Sequence, residues 1–277
     1  MSYPLTADKT RQIYIGFEST QLSFRTDVDE VASSIMASHS SMIVTAVDEI
    51  VGSLEVYRAN GGYVCRGQNE LEYRGDPANL ADWLNRDILD QFIRAHPARL
   101  WLHAGAVEIA GRAVLIVGKS GQGKSTLVKH LLDSGWNYLS DEMAPVDTVS
   151  WEVSPYPRTP VRRVNPGHYV ESIVRHPIKR ETLPLQLSQV SRANARIGMI
   201  AFPTFRYGSA ASMRPVSAGE AALKLSASCT NFTDLQAVAV TWIAVLAQTI
   251  PCVLLEYGNG VDAASLLNQH AKAVCLL

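Results

Sequence analysis

Eight consecutive residues near the middle of the chain match the pattern of a loop that binds nucleotide phosphates. Residues 118–125 read GKSGQGKS and fit G-x-x-x-x-G-K-[ST] in full. Glycines in such a loop let several backbone N–H groups point at one phosphate, and the start of the following helix adds its positive dipole end. The predicted nucleotide contacts are Gly118, Lys119, Ser120, Gly121, Gln122, Gly123, Lys124, Ser125 and Thr126.

Two of these residues have their own expected chemistry. Lys124 can place a point charge on the β- and γ-phosphates of ATP, and Ser125 can offer its hydroxyl to Mg²⁺. The flanking sequence suits this, because the apolar run 113–117 predicts a strand before the loop and 124–134 predicts a helix after it. The alternative is a degenerate loop that is retained only for packing.

An acidic pair follows the predicted helix. Asp141 and Glu142 stand 16 and 17 residues after Ser125, at the end of a short predicted strand, 137–139. Phosphoryl transfer uses carboxylates to take the proton of the acceptor hydroxyl and to bind metal. We expect the pair to lie at the carboxyl edge of the sheet, on a strand beside that of the loop. The alternative is an exposed turn with two solvated acids.

A histidine in an apolar run is a further candidate. His103 lies within 100–109, which predicts a strand that pairs with 113–117 through a hairpin. A lone histidine in such a run is more often a core residue than a catalytic one, so the local sequence leaves both interpretations open.

The elements around these residues predict an α/β protein. Residues 98–277 alternate strands (137–139, 144–147, 151–153, 198–202 and 252–256) with helices (219–225, 234–248 and 263–273), which favours a P-loop-containing catalytic domain. Residues 1–97 read as a small β-rich region with strands at 12–17, 21–25, 51–57 and 62–66 and helices at 30–37 and 77–96.

Composition narrows the class of protein. The 277 residues are 47% hydrophobic with a net charge of −1, which argues against nucleic acid as a partner. The longest apolar stretch, 235–246, is too short to cross a bilayer and predicts a buried helix, so no membrane partner is expected. The start of the sequence lacks a secretory signal, and four dispersed cysteines suit a reducing compartment, so we expect a cytoplasmic protein.

The stretch 102–147 resembles the catalytic domain of the HPr kinase/phosphorylase family. A histidine, a hairpin, the phosphate loop, a helix and an acidic pair occur in the same order over about 45 residues. The similarity is greatest to shorter, HPr-kinase-like relatives in bacteria, some of which accompany lasso-peptide biosynthesis and phosphorylate a serine of the precursor peptide. The small β-rich N-terminal part resembles that subgroup as well.

This resemblance implies a role for each matching residue. His103 stands at the family's functional histidine near the phosphates, and Asp141 at the aspartate that acts as base toward the acceptor serine. Glu142 replaces a second aspartate that binds metal with Ser125. The family's later Glu and Arg before a Gly-x-Gly segment are absent, and Arg158 or Arg206 could supply the missing positive charge. The resemblance also suggests a homo-oligomer.

Three functions follow as hypotheses. The first is an ATP- and Mg²⁺-dependent serine kinase that acts on a peptide or small protein. The second is an ATP-gated binding module without transferase activity, against which the acidic pair argues. The third is a small-molecule kinase, for example of free serine, in which the arginine-rich segment 158–180 would hold an acidic metabolite. The sequence does not separate a peptide from a metabolite as the acceptor.

Overall fold

A computed structural model describes residues 10–45, 49–59, 61–67, 70–74, 77–119, 121–163, 180–182 and 185–275. The chain is a mixed α/β protein and divides into two compact units, Met1–Ala98 and Arg99–Leu277. Ser120, one of the predicted nucleotide contacts, lies outside the described residues, as do residues 164–179 of the arginine-rich segment 158–180.

The first unit is built on a six-stranded sheet in the order β3-β1-β2-β4-β5-β6. Strands β1 and β2 form an antiparallel hairpin, β2 and β4 are parallel, and β4, β5 and β6 form an antiparallel meander. The predicted strands of this region are confirmed. The strands are β1 (Arg11–Phe17), β2 (Thr20–Thr26), β3 (Ile43–Val44), β4 (Glu49–Ala59), β5 (Gly62–Arg66) and β6 (Glu70–Tyr73).

Two helices, α1 (Asp29–Ser38) and α2 (Pro77–Ala95), accompany this sheet. Four side chains of α2 recur at intervals of four residues and are fully buried, as the apolar periodicity predicts. These side chains are Leu80, Leu84, Ile88 and Phe92.

The second unit contains a nine-stranded sheet. Its main order is β10-β8-β9-β15-β12-β11-β7, with β17 also paired to β15, and β16 to β17. The strands are β7 (Arg99–Leu102), β8 (Ala104–Ile109), β9 (Arg112–Val117), β10 (Asn137–Ser140), β11 (Ala144–Asp147), β12 (Glu152–Val153), β15 (Ala195–Phe205), β16 (Ser212–Pro215) and β17 (Cys252–Tyr257). A separate antiparallel pair joins β13 (Val161–Arg163) and β14 (Arg180–Thr182).

Helices cover this sheet on both faces. The described helices are α3 (Lys124–Asp133), α4 (Ala218–Ser226), α5 (Phe232–Leu235), α6 (Ala237–Thr249) and α7 (Gly260–Cys275). Strand β9 shows why two layers form. Leu115 and Val117 pack in the core beneath α4 and α6, whereas Val114 and Ile116 pack in the core beneath α3 and α7.

Four strands of the second unit end at the same edge of the sheet. Strands β9, β15 and β17 are mutually parallel, and β10 runs in their direction because both β9 and β10 are antiparallel to β8. This edge therefore carries the 118–125 loop after β9 and the acidic pair after β10. It also carries Arg206 after β15, and β8 begins there, next to His103.

Three features correct the sequence-based expectations. The predicted strand 100–109 is two strands, because β7 pairs with β11 whereas β8 pairs with β9 and β10. Strand β10 is not beside β9, since β8 lies between them. The predicted helix 234–248 is broken at Gln236, whose φ of 52° ends α5 before α6 begins.

Three further details also differ from expectation. The stretch 235–246 is not fully buried, because Val238, Val240 and Val245 of α6 are exposed. Strand β15 extends beyond the predicted 198–202, and β16 was not predicted at all.

Candidate functional site

The 118–125 loop joins β9 to α3 through a backbone that only glycine adopts readily. Gly121 and Gly123 have φ values of 87° and 83°, in the left-handed region. Gly123 is the residue before α3, and no side chain of the described residues caps that helix. The first N–H groups of α3 are therefore not engaged by a capping side chain. Helix N-termini with such N–H groups can bind anions.

Tyr257, at the end of β17, fixes the shape of this loop. Its hydroxyl donates to the backbone carbonyl of Gln122 at 3.0 Å. The Gln122 side chain in turn accepts from the Lys119 N–H at 2.6 Å. A Cβ at Gly123 would overlap the Tyr257 hydroxyl, so the residue at 123 has to be glycine for space as well as for φ. Sequence reasoning missed Tyr257, because no local pattern links it to a loop 135 residues away.

Lys124 is buried, with 7% of its surface exposed. Its Nζ donates to the carbonyls of Gly118 at 2.8 Å and Lys119 at 3.3 Å, and it lies 3.2 Å from Nε2 of His103. Because an ammonium group only donates, Nε2 of His103 is the acceptor in that contact. The lysine is thus held under the loop with its charge beside the histidine.

His103 occupies the break between β7 and β8. Its backbone N–H donates to the Ser228 carbonyl at 2.7 Å, next to the bridge between Leu102 and Cys229. Burial, and then the charge of Lys124, lower the pKa of His103, while Glu142, which accepts a hydrogen bond from the ring through its backbone, acts in the opposite direction. The ring is therefore neutral at pH 7, as its acceptor role toward Lys124 requires.

Asp141 is buried at the end of β10, with 8% of its surface exposed. Burial raises the pKa of its carboxyl to about 7, against the opposing effects of a hydrogen bond from Ser125 and the charge of Lys124. Its Oδ1 has no hydrogen-bond partner among the described residues. The structure therefore brings Asp141, after β10, together with Lys124 and Ser125 in the first turn of α3.

The Glu142 carboxylate contacts Arg158 rather than Lys124 or Ser125. It is half-exposed and forms a short ion pair with Arg158, whose side chain is only 13% exposed. The backbone of Arg158 is fixed by the Tyr138 hydroxyl, which donates to its carbonyl at 2.7 Å. The turn that carries the acidic pair is stabilised by the Ser140 hydroxyl, which accepts from the N–H of Met143 at 3.1 Å.

The remaining predicted residues are placed less centrally. Arg206 is on the same sheet edge, but its side chain is two-thirds exposed and pairs with Glu256 at 3.3 Å. Thr126 is exposed in the first turn of α3. Among the described contacts, Arg158 and not Arg206 touches the acidic pair.

A cavity of about 330 Å³ opens beside this cluster. His103, Gly118 and Lys119 line one side, and residues 227–230 line the other. Sequence reasoning gave this second wall no role, because it lies more than 100 residues from the loop and carries no recognisable motif.

No cluster of three or more His, Cys, Asp or Glu side chains that could hold a metal occurs within the described ranges. The described oxygen ligands at the loop include the Ser125 hydroxyl and the Asp141 carboxyl, which hydrogen-bond to each other.

Comparison of the chain with models of known protein families gives no match, and comparison with curated proteins gives none. In the part of the chain that the structure describes, no helix has both the length and the apolar character needed to cross a bilayer.

Proposed function

We propose that the protein is an ATP-dependent serine kinase with a P-loop catalytic domain of the HPr-kinase-like type and a small β-rich N-terminal part. It transfers the γ-phosphoryl group to a serine hydroxyl of a peptide or small protein. One observation supports this above all. A buried carboxyl, Asp141, lies beside the hydroxyl of Ser125 and the ammonium of Lys124, at the end of a glycine-rich loop where α3 begins.

The loop supports binding of a triphosphate. Two glycines in the left-handed region and an uncapped helix N-terminus present N–H groups to an anion. Lys124 already lies beneath the loop, where its present acceptors are carbonyls of Gly118 and Lys119. Phosphate oxygens are stronger acceptors than carbonyls, so Lys124 would exchange these contacts for the β- and γ-phosphates.

Asp141 supports the transfer step. The acceptor oxygen would attack the γ-phosphorus while its proton passes to the Asp141 carboxylate. The bond from that phosphorus to the bridging oxygen would break, and ADP would leave with the electron pair. A carboxyl with a pKa of about 7 suits this role, because a general base works best when its pKa lies near the working pH.

The oxygen ligands suit Mg²⁺, which usually takes one or two protein ligands and completes its shell with phosphates and water. Ser125 would hold it, and the proposal is supported by the buried Oδ1 of Asp141, which has no hydrogen-bond partner among the described residues. Glu142 could contribute only after its ion pair with Arg158 opens. When bound, the ion would neutralise charge on the transferring phosphate.

His103 is proposed as a positioning residue. Its neutral ring accepts from Lys124 through Nε2 and is held by the backbone of Glu142, so it connects the lysine to the acidic turn. The buried free thiols Cys65, Cys229 and Cys252 suit a reducing compartment, and we place the reaction in the cytoplasm.

The proposal is tested by incubating the protein with γ-labelled ATP, Mg²⁺ and serine-containing peptides, followed by mass spectrometry. Phosphoserine on a peptide is the expected product. Tight ATP binding with no labelled acceptor would instead favour the ATP-gated binding module.

A small-molecule kinase is the second candidate, and the size of the cavity favours it. A volume of about 330 Å³ lies at the lower end of the range for small-molecule pockets. Adding free serine to the same assay separates this candidate from a peptide kinase.

A further inference from the structure

One wall of the cavity beside His103 is held in place by backbone hydrogen bonds to residues 101–103. Residues 227–230 connect α4 to α5, and Leu102 and Cys229 form a bridge that attaches them to β7. The Ser228 carbonyl accepts from the His103 N–H at 2.7 Å, and the Thr230 N–H donates to the Trp101 carbonyl at 2.8 Å. The wall is therefore tied to β7 rather than being a loose loop.

Asn231 strengthens this attachment. It is 3% exposed, and its side-chain oxygen accepts from the Trp101 N–H at 3.1 Å. Its side-chain nitrogen donates to the Arg99 carbonyl at 2.9 Å. A buried amide with both ends engaged is costly to displace, so the cavity exists before any ligand binds.

The cavity is separate from the expected position of the phosphates. Its lining includes only Gly118 and Lys119 of the described loop residues, whereas 121–126 supply the glycines and the helix N-terminus that would hold phosphates. It still borders the reacting centre, because His103 lines it and contacts Nζ of Lys124 at 3.2 Å. A second substrate could therefore lie in the cavity beside the γ-phosphate.

The charge of the lining residues restricts the charge that the second substrate can carry. Among the described residues, the seven that line the cavity include no carboxylate, and Lys119 is the one of them that carries a permanent charge. The remaining side chains on the 227–230 wall are small or carry a hydroxyl or thiol group. A positively charged group would meet no carboxylate among these lining residues and would be repelled by Lys119.

We propose that this cavity receives the phosphoryl acceptor, a primary hydroxyl borne by an uncharged or anionic group, and that residues 227–230 determine acceptor specificity. This inference rests on the proposed kinase function. The volume admits a serine side chain with its immediate neighbours, or a molecule of the size of free serine, but not the flat surface of a folded protein.

The test compares three acceptor probes with full-length wild-type protein. The probes are a blocked pentapeptide library with a central serine and acidic or uncharged neighbours, a matched library with Lys and Arg neighbours, and free serine. We expect the acidic or uncharged library to be used at least ~10-fold better than the cationic one, the ratio that corresponds to about 1.4 kcal/mol. Labelling of free serine alone, which carries an ammonium group, would overturn the charge restriction inferred from Lys119 and would favour the small-molecule kinase.

Two substitutions at Ala227 probe the wall directly. Ala227 is exposed, so a larger side chain can be added without disturbing the core. Ala227→Phe should lower kcat/KM for the acceptor at least ~10-fold while the dissociation constant of ATP is unchanged. Ala227→Glu should shift preference toward the cationic library. Leu223→Phe is the matched control, because Leu223 is 75% exposed on α4 and does not line the cavity.

The outcomes separate this inference from the kinase proposal. Normal acceptor kinetics in Ala227→Phe, or a wild-type preference for the cationic library, would overturn the acceptor assignment and leave the kinase proposal standing. A wild-type protein that binds ATP but labels none of the probes would overturn both transfer and acceptor assignment. A wild-type protein that fails to bind ATP would remove the basis of both.

Discussion

The carboxyl of Asp141 connects burial with chemistry at the scale of single residues. A carboxylate next to Lys124 and Ser125 would ordinarily have a low pKa, yet burial outweighs both neighbours and raises the pKa to about 7. The group is therefore divided between its two protonation states near neutral pH. Both the enzymatic rate and the free energy of unfolding should therefore depend on pH near 7.

Activity should fall as pH decreases below about 7, because a base must be deprotonated to accept the hydroxyl proton. We expect kcat/KM to decrease about 10-fold for each pH unit below that value, as for any single required ionisation. The measurement is initial rate against pH from 5 to 9. A flat profile across pH 6–7 would exclude Asp141 as the titrating base.

The contribution of the Asp141 carboxyl to stability should have the opposite pH dependence to activity. The native carboxyl has a raised pKa, so its contribution to stability is fully present below its ordinary value of 3.8 and is lost as pH rises through about 7. The asparagine variant avoids burying a charge, and it should gain up to about 4 kcal/mol relative to wild type between pH 4 and pH 8.

Asp147→Asn provides a contrasting control in the same denaturation series. Hydrogen bonds from the backbone and side chain of Ser150 and from the Val149 N–H lower the pKa of Asp147, and its contribution to stability is lost as pH falls. This variant should therefore lose stability at neutral pH, and its difference from wild type should shrink in acid. Identical pH trends for the two variants would contradict the assignment of burial as the dominant effect at Asp141.

Single residues of the site were partly predictable from the sequence. Lys124 and Ser125 belong to a contiguous pattern, and Asp141 stands out as an acid after an apolar strand. The ion pair between Glu142 and Arg158 and the bond from Tyr257 to the loop were not predictable, because each joins elements whose contact depends on the sheet order.

Helices and strands were likewise predictable where local sequence determines them and unpredictable where long-range contacts do. The apolar runs that became β9, α3 and α7 were correctly placed, since their periodicity is local. The break at His103 was missed because its backbone N–H is taken by Ser228, 125 residues away, which no local pattern reveals. The position of β8 between β9 and β10 was missed for the same reason, because the order of strands in a sheet depends on tertiary pairing.

The contact between β17 and the loop gives a prediction at this scale. Gly123→Ala should weaken ATP binding strongly, because its Cβ would overlap the Tyr257 hydroxyl and its φ of 83° strains any other residue. Adding Tyr257→Phe should restore part of the loss, since the hydroxyl that causes the overlap is gone. The measurement is the ATP dissociation constant across this double-mutant cycle.

Gly111→Ala is the matched control for backbone strain alone. Gly111 has a φ of 77° but no atom within 4 Å of its added Cβ. It should cost about 1 kcal/mol of stability without affecting ATP binding. Equal effects of alanine at Gly111 and Gly123, or no rescue by Tyr257→Phe, would contradict the role of Tyr257 in shaping the loop.

The whole molecule consists of two compact units, and all the described site residues belong to the second, Arg99–Leu277. That unit has its own sheet and two apolar cores, one on each face. A mixed α/β protein was predictable from the alternation of apolar patterns. The branching of the sheet at β15 was not, since one strand pairs with three others along its length.

A fragment of residues 99–277 should fold cooperatively and bind ATP, since an independent core is the mark of a domain. We expect its ATP dissociation constant to be within about threefold of the full-length value. Circular dichroism and calorimetric titration would check both points. A fragment that folds but has lost ATP binding would show that residues of the first unit contribute to the nucleotide site.

The central claim is that the 118–125 loop binds ATP while Asp141 acts as the base. It is tested most directly by the kinetics of Asp141→Asn, with Asp133→Asn as a control. Asp133 is an exposed acid on α3 that pairs with Lys129, so its loss should change neither binding nor rate. For Asp141→Asn, we predict an ATP dissociation constant near that of wild type and a turnover at least ~100-fold lower. Turnover of Asp141→Asn within about 10-fold of wild type would contradict a base at this position.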